Sequence, residues 1–164
     1  MKLNTVLKIV CLSLTAFILF WIFVMSAQNA DESSKTSKNV GQIVAPVINR
    51  DFNKMTEEQK EEYVSEIDHE VRKTAHVTEF FALGALLFLD FYLFKIRKPF
   101  CALFAFLSGV VFASLDEIHQ IFIPGRAGMV TDVLIDAAGI TGGIAAAFLL
   151  VLIIERIKKR KKAS

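Results

Sequence analysis

An all-α membrane protein is the fold class this sequence predicts: a four-transmembrane-helix bundle with an extracytoplasmic amphipathic helical segment between helices 1 and 2. Three observations carry it. Apolar residues make up 54% of the 164-residue chain, above the ~45–50% of ordinary soluble domains. The excess is gathered into four runs, each able to supply the ~20 residues that cross a ~30 Å hydrocarbon layer. No alternating ten-residue barrel pattern is present, so backbone groups cut off from water must be satisfied within helices. Other classes fall away on the same numbers. The net charge of +2 excludes a strongly basic nucleic-acid binder, and no Gly-rich phosphate loop occurs. Two cysteines, Cys11 and Cys101, both lie in apolar stretches and form neither a disulfide framework nor a zinc-type cluster.

The first span covers residues 6–27. Its charge-free core, residues 9–25, is longer than the ~7–15-residue apolar region of a cleaved signal peptide. Ser26-Ala27-Gln28-Asn29-Ala30 matches a small-residue cleavage site poorly, so an uncleaved anchor is expected. The remaining spans are residues 75–94, 100–123 and 130–154. Between spans one and two, 40–49 reads as a short surface-seeking element interrupted by Pro46. Thr56 with Gln59 then fits a capping box that opens a helix. Behind it, Tyr63, Val64, Ile67 and Val71 recur at helical spacing among glutamates. Such a helix is expected to lie on the membrane or on the bundle, or to act as a lid over a site.

Basic residues orient the bundle. Lys2 and Lys8 precede span one, Lys95, Arg97 and Lys98 link spans two and three, and six Lys/Arg fill the tail 155–164. The positive-inside rule places all three in the cytoplasm with both termini, leaving 28–74 and 124–129 outside. Partitioned this way, the inner side carries +9 and the outer side −7, so the near-neutral total is a cancellation.

Polar residues interrupt the spans. Steps of four and three place Arg72, His76 and Glu79 on one face of span two, with Lys73 beside them. Span three ends with Asp116, Glu117, His119 and Gln120. Span four opens with Asp132 and Asp136, followed by Gly139 and Gly143, small residues that let another helix approach closely. In the orientation above, all these polar groups fall in one outer-leaflet layer. A charge at mid-bilayer costs ~2.5–3.5 kcal/mol on insertion scales, so the groups must be paired or wet. Either they form a pairing network that glues the helices, or they line a polar cavity opening outward that holds a ligand or does chemistry. His76, Glu79, Asp116 and His119 are the candidates for acid/base work. Arg72, Lys73, Glu117, Gln120, Arg126, Asp132 and Asp136 are the ligand-binding candidates. Arg126, in Pro124-Gly125-Arg126-Ala127-Gly128, suits either a bidentate clamp on phosphate or carboxylate, or a pair with Glu117 or Asp132. No HExxH or comparably tight spacing names a metal, and no cofactor is indicated. Asp90 is expected to pair with Lys95 at the inner interface, with Trp21 and Tyr92 as interfacial anchors.

Two runs carry a resemblance: Val71-Arg72-Lys73-Thr74-Ala75-His76-Val77-Thr78-Glu79-Phe80, and Ser114-Leu115-Asp116-Glu117-Ile118-His119-Gln120-Ile121-Phe122-Ile123-Pro124-Gly125-Arg126 with Asp132 and Asp136 after it. They resemble the VanZ-like family, and Ser26-Ala27-Gln28 is similar to it as well. Where several members carry Asn, this chain has the ionisable Asp136. The resemblance implies a small bacterial membrane protein with one VanZ-like membrane domain over 1–164. The family takes its name from a member associated with resistance to teicoplanin, a lipoglycopeptide.

Three functions follow as expectations. The first is a cell-envelope protein whose cavity engages an amphiphilic ligand: a lipid-linked wall precursor, a phospholipid headgroup or a lipoglycopeptide. The second is an intramembrane acid/base or metal-dependent hydrolase or transferase acting on a lipid-linked substrate. The third is a proton or ion carrier, for which so few spans would have to assemble as a homo-oligomer. Membrane lipids are expected partners in each, and nucleic acid in none.

Overall fold

The computed structural model describes residues 3–163, and Lys2, one of the orienting cations, lies outside them. Five α-helices follow in order: α1 (Leu3–Ser26), α2 (Ala30–Ile48), α3 (Glu57–Leu93), α4 (Lys98–Gln120) and α5 (Val130–Ala163), with a 3-10 turn at Phe52–Lys54. No strand occurs among the described residues. Four of the helices, α1, α3, α4 and α5, are long and apolar enough to cross a membrane. The four-span all-α bundle is therefore present. Its outward-turned side chains are largely apolar, Phe17, Phe20, Leu107 and Leu149 among them, as lipid-facing helices require.

The segment between spans one and two differs from the expected form. Asn29 and Glu32 make a reciprocal capping box, so helix begins at Ala30 and runs 19 residues rather than forming a short element near Pro46. Pro46 falls within its last turn, and the helix stops two residues later. The capping box at Thr56 and Gln59 opens α3 as expected. However, α3 does not end before span two. With no Gly or Pro between Glu57 and Leu83, it continues for 37 residues, ~55 Å, nearly twice the hydrocarbon thickness. The amphipathic stretch is thus the first half of the helix that becomes span two. Its apolar face has a partner in α2. Ser33, Ser37, Gly41 and Ala45, four residues apart, form a narrow stripe buried against it. Ala45, Phe52 and Val64, flanked by Met55, Tyr63 and Ile67, make a small separate core. Together α2 and the first half of α3 form a helical hairpin.

In the bundle, α3 and α5 make the most extensive contact. Phe80, Leu83, Phe88, Cys101, Ala105 and Ile140 are fully buried at its centre. Gly139 and Gly143 bring α5 onto the main chain of α3 at Val77 and Phe81. α4 packs on both helices, while α1 packs chiefly on α3. Two helix ends depart from the expected spans: α4 stops at Gln120, and α5 runs without a break through the basic tail to Ala163.

The basic segments gather at one end of the bundle. Asn4 and residues 95–98 border a common surface hollow, and the Lys8 ammonium sits 4.3 Å above the Phe94 ring. Glu155 accepts from Lys98 Nζ and from the Tyr92 hydroxyl (3.0 Å), tying α3, α4 and α5 together. Tyr92 therefore does more than anchor an interface. The expected Asp90–Lys95 pair is not formed. Lys95 lies past the end of α3 with φ 64°, off the helical face that carries Asp90. Asp90 is buried and accepts from Thr15 Oγ1 of α1 at 2.7 Å. Thr15→Val should remove that bond from an apolar setting and lower stability by about 0.6–1 kcal/mol. An unshifted unfolding midpoint in detergent would show that the bond does not hold α1 to α3.

Candidate functional site

At the opposite end, five structural pieces converge: the end of α1, the start of α2, the middle of α3, the end of α4, and the 121–129 turn leading into α5. The turn needs Gly125, whose φ of 76° is open to glycine at little cost. A side chain there would also strike Ala30, because the Ala30 amide donates to the Pro124 carbonyl (3.3 Å) and seats α2 on the turn.

The polar residues border three spaces rather than one. The principal chamber, about 230 Å³, is lined by Arg72, Lys73 and His76 of α3, Glu117 and Gln120 of α4, Arg126 of the turn, and Asp132 and Asp136 of α5. A smaller chamber of about 80 Å³ lies between α1, α2 and α3. It shares Arg72, His76 and Arg126 with the first and adds Glu79. Asp116 and His119 line neither. They border a third space, an apolar cleft of about 320 Å³ beside α1. Eight of the eleven candidates therefore share one chamber, Glu79 adjoins it, and Asp116 and His119 face away. Residues 116 and 117 share a depth but sit ~100° apart around α4, which sends them to different spaces.

Local bonds set each group. Arg72 Nη2 donates to Asp68 Oδ2 at 2.8 Å, one turn earlier on α3. Asp68 also accepts from Ser34 (3.3 Å) and Ser37 of α2. Arg126 pairs with neither Glu117 nor Asp132, contrary to one expectation; it donates to the Ser33 hydroxyl of α2. The reason lies with those acids. Glu117 Oε2 accepts the Met129 amide (2.8 Å), and Asp132 Oδ1 faces Lys73 Nζ at 4.0 Å. Gln120 Nε2 donates to Asp116 (2.9 Å). Trp21, expected only as an anchor, donates from Nε1 to Glu79 Oε1 at 2.8 Å. His119 stacks on Phe23 with centroids 4.8 Å apart.

Electrostatically, Arg126 stands out. Burial first, and then the charge of Arg72, pulls its guanidinium pKa below the ordinary value. Across the described residues, seven buried side-chain polar atoms have no hydrogen-bond partner. Six of them, on Ser26, Arg72, His76, His119, Arg126 and Asp132, lie at this end, and the seventh is on Asp90. An unsatisfied buried donor or acceptor costs ~1–3 kcal/mol, so six in one layer mark a place made to be wet or filled. Among the described residues no three His, Cys, Asp or Glu side chains converge on a point that would hold a metal ion.

Some residues of the site were not among the candidates. His69 lines the principal chamber one turn ahead of Arg72 and Lys73, on the face the spacing rule had begun at Arg72. Asp68, four residues before Arg72, was readable as its i,i+4 partner. Ser33 and Ser37 belong to the four-residue small stripe of α2, a period that only the helical form of 30–48 reveals.

A family model described as VanZ/LLP1 matches residues 11–153. No curated protein and no solved structure matches the chain.

Proposed function

Because the chain belongs to the VanZ/LLP1 family and carries four membrane-length apolar helices, we propose that this multi-pass protein uses its paired polar chambers to engage an amphiphilic ligand of the bacterial cell envelope. The observation that carries this reading is the set of four buried polar atoms without a hydrogen-bond partner on residues that line the polar chambers, Arg72, His76, Arg126 and Asp132. A pairing network that served only to glue helices would consume its own donors and acceptors, and this one leaves them over. The basic end of the bundle sets the direction: held in the cytoplasm by the positive-inside rule, it turns the chambers outward. There they meet lipid-linked wall precursors, phospholipid headgroups and lipoglycopeptides of the teicoplanin type. Engaging one of these would contribute to glycopeptide resistance. Deleting the gene and titrating lipoglycopeptides against the host is the direct test; a fall in the inhibitory concentration is expected, and unchanged susceptibility across the class removes the resistance role.

One observation favours a second reading, acid/base chemistry on a lipid-linked substrate. His76 Nδ1 is buried without a partner at the junction of both chambers, where a base would be needed. In that case His76→Ala and Glu79→Gln abolish the phenotype while membrane abundance is kept. Loss of abundance in step with the phenotype points back to packing.

A further inference from the structure

The apolar cleft has no part in the reading above, yet it abuts the same site. Leu19, Ile22 and Phe23 of α1 form one wall and Phe112 and Leu115 of α4 the other, over the fully buried Phe80. It opens among apolar span residues, so whatever enters arrives from the hydrocarbon layer. Its polar end is closed by Asp116 and His119. Asp116 is bonded at 2.9 Å to Gln120, and Gln120 lines the principal chamber, so one hydrogen-bonded pair separates the greasy space from the polar one. Across that pair lies a cation in want of an anion. Among the described residues Arg126 has no carboxylate within 4.0 Å; it donates to the neutral Ser33 hydroxyl, and its Nε has no partner. Arg72 borders both chambers with it and also has an unpartnered Nε. Two guanidiniums with free donors match the several acceptor oxygens of one phosphate.

We propose that the α1–α4 cleft is the hydrocarbon-chain subsite of this site, and that the ligand is a phosphate-bearing lipid whose phosphate lies at Arg72 and Arg126 while one chain occupies the cleft. This rests on the envelope-ligand reading and narrows it. Acyl and prenyl phosphates share the chemistry in question, a monoanionic or dianionic phosphate on a long apolar chain.

The test uses the full chain in phosphatidylcholine nanodiscs with three probes: hexadecyl phosphate, butyl phosphate and inorganic phosphate. Hexadecyl phosphate is expected to bind at least tenfold more tightly than butyl phosphate. Leu115→Trp blocks the cleft from its rim, where the leucine is exposed and the core is undisturbed. It should lower hexadecyl phosphate affinity at least tenfold and leave butyl phosphate alone. Leu19→Trp blocks the opposite wall and serves if the first variant does not fold. Arg126→Gln should weaken both alkyl phosphates at least tenfold. If butyl phosphate binds and neither block alters hexadecyl phosphate binding, or if inorganic phosphate binds as tightly as hexadecyl phosphate, the chain subsite is wrong and the polar-chamber reading stands. If no phosphate binds, or Arg126→Gln changes nothing, the phosphate assignment falls with it.

Discussion

Gly143→Ala is expected to destabilise the bundle by about 3 kcal/mol, at the upper end of what overpacking costs, while Gly142→Ala has a far smaller effect. The two glycines are adjacent, and the difference is one of direction. A Cβ at Gly143 would land on the Phe81 carbonyl and lie 2.9 Å from the Ala85 amide nitrogen, both main-chain atoms of α3 that cannot swing aside. A Cβ at Gly142 meets only the edge of the Phe81 ring at 3.2 Å, which can shift by a few tenths of an ångström. To admit even one methyl group at Gly143, α5 must move off α3. That contact is the largest in the molecule, and it sets the distance between Arg72, Lys73 and His76 on one helix and Asp132 and Asp136 on the other. Loss of the fold and loss of the chamber should therefore arrive together. Unfolding in mixed micelles of rising denaturing-detergent fraction measures the first, and membrane abundance gives the same ranking in cells. Equal behaviour of the two alanine variants would mean that α3 and α5 are not in main-chain contact.

What was legible in the residues was depth along the membrane normal. Charge and hydropathy place Arg72, Asp116 and Asp132 at one level because each sits at the same end of an apolar run, and the structure gathers those three levels at one end. Azimuth was harder to read. Asp116 and Glu117 differ by one residue in depth and by ~100° in direction, and only the packing of α1 against α3 rather than α4 decides that the first faces a cleft. Long-range partners were harder still. Asp90 had a cation five residues away, and the bond it makes is to Thr15, 75 residues earlier, because burial inside the bundle selects a hydroxyl over a hydrated ammonium. The α2–α3 hairpin was missed for another reason. The residue pattern changes at 72–74 from glutamate-rich to apolar, which reads as a boundary between two elements, although a helix backbone is broken by Gly, Pro or a cap and none lies there. The VanZ-like resemblance supplied the family, which none of these patterns contains.

The hairpin leads to the second large effect. Asp68→Ala is expected to loosen α2 by about 2–3 kcal/mol while the four spans stay folded. Asp68 is buried between α2 and α3, and it accepts from the Ser34 and Ser37 hydroxyls on one side and from Arg72 on the other. Removing it strands the Ser34 hydroxyl and the half-buried Arg72 guanidinium, while Ser37 falls back on the Ser33 and Ser34 carbonyls, and an unpaired, partly desolvated cation costs more than a neutral donor. The apolar contacts that remain to α2 are few, chiefly Ala45 against Phe52 and Val64 at the far end, so its first half keeps only the Ala30–Pro124 and Ser33–Arg126 hydrogen bonds. Hydrogen exchange resolves the effect by segment: amides of 30–41 should exchange at least tenfold faster, and those of α4 and α5 at the parental rate. Asp68→Asn keeps an acceptor for Arg72 and should recover part of the protection. The consequence reaches the site: the substitution itself takes Asp68 from Arg72, and a released α2 withdraws Ser33, which accepts from Arg126. Ligand affinity at Arg72 and Arg126 should then fall in the alanine variant and partly return in the asparagine variant. Unchanged exchange across 30–41 would mean that α2 is held by its apolar end alone, and that Asp68 does no more than neutralise Arg72.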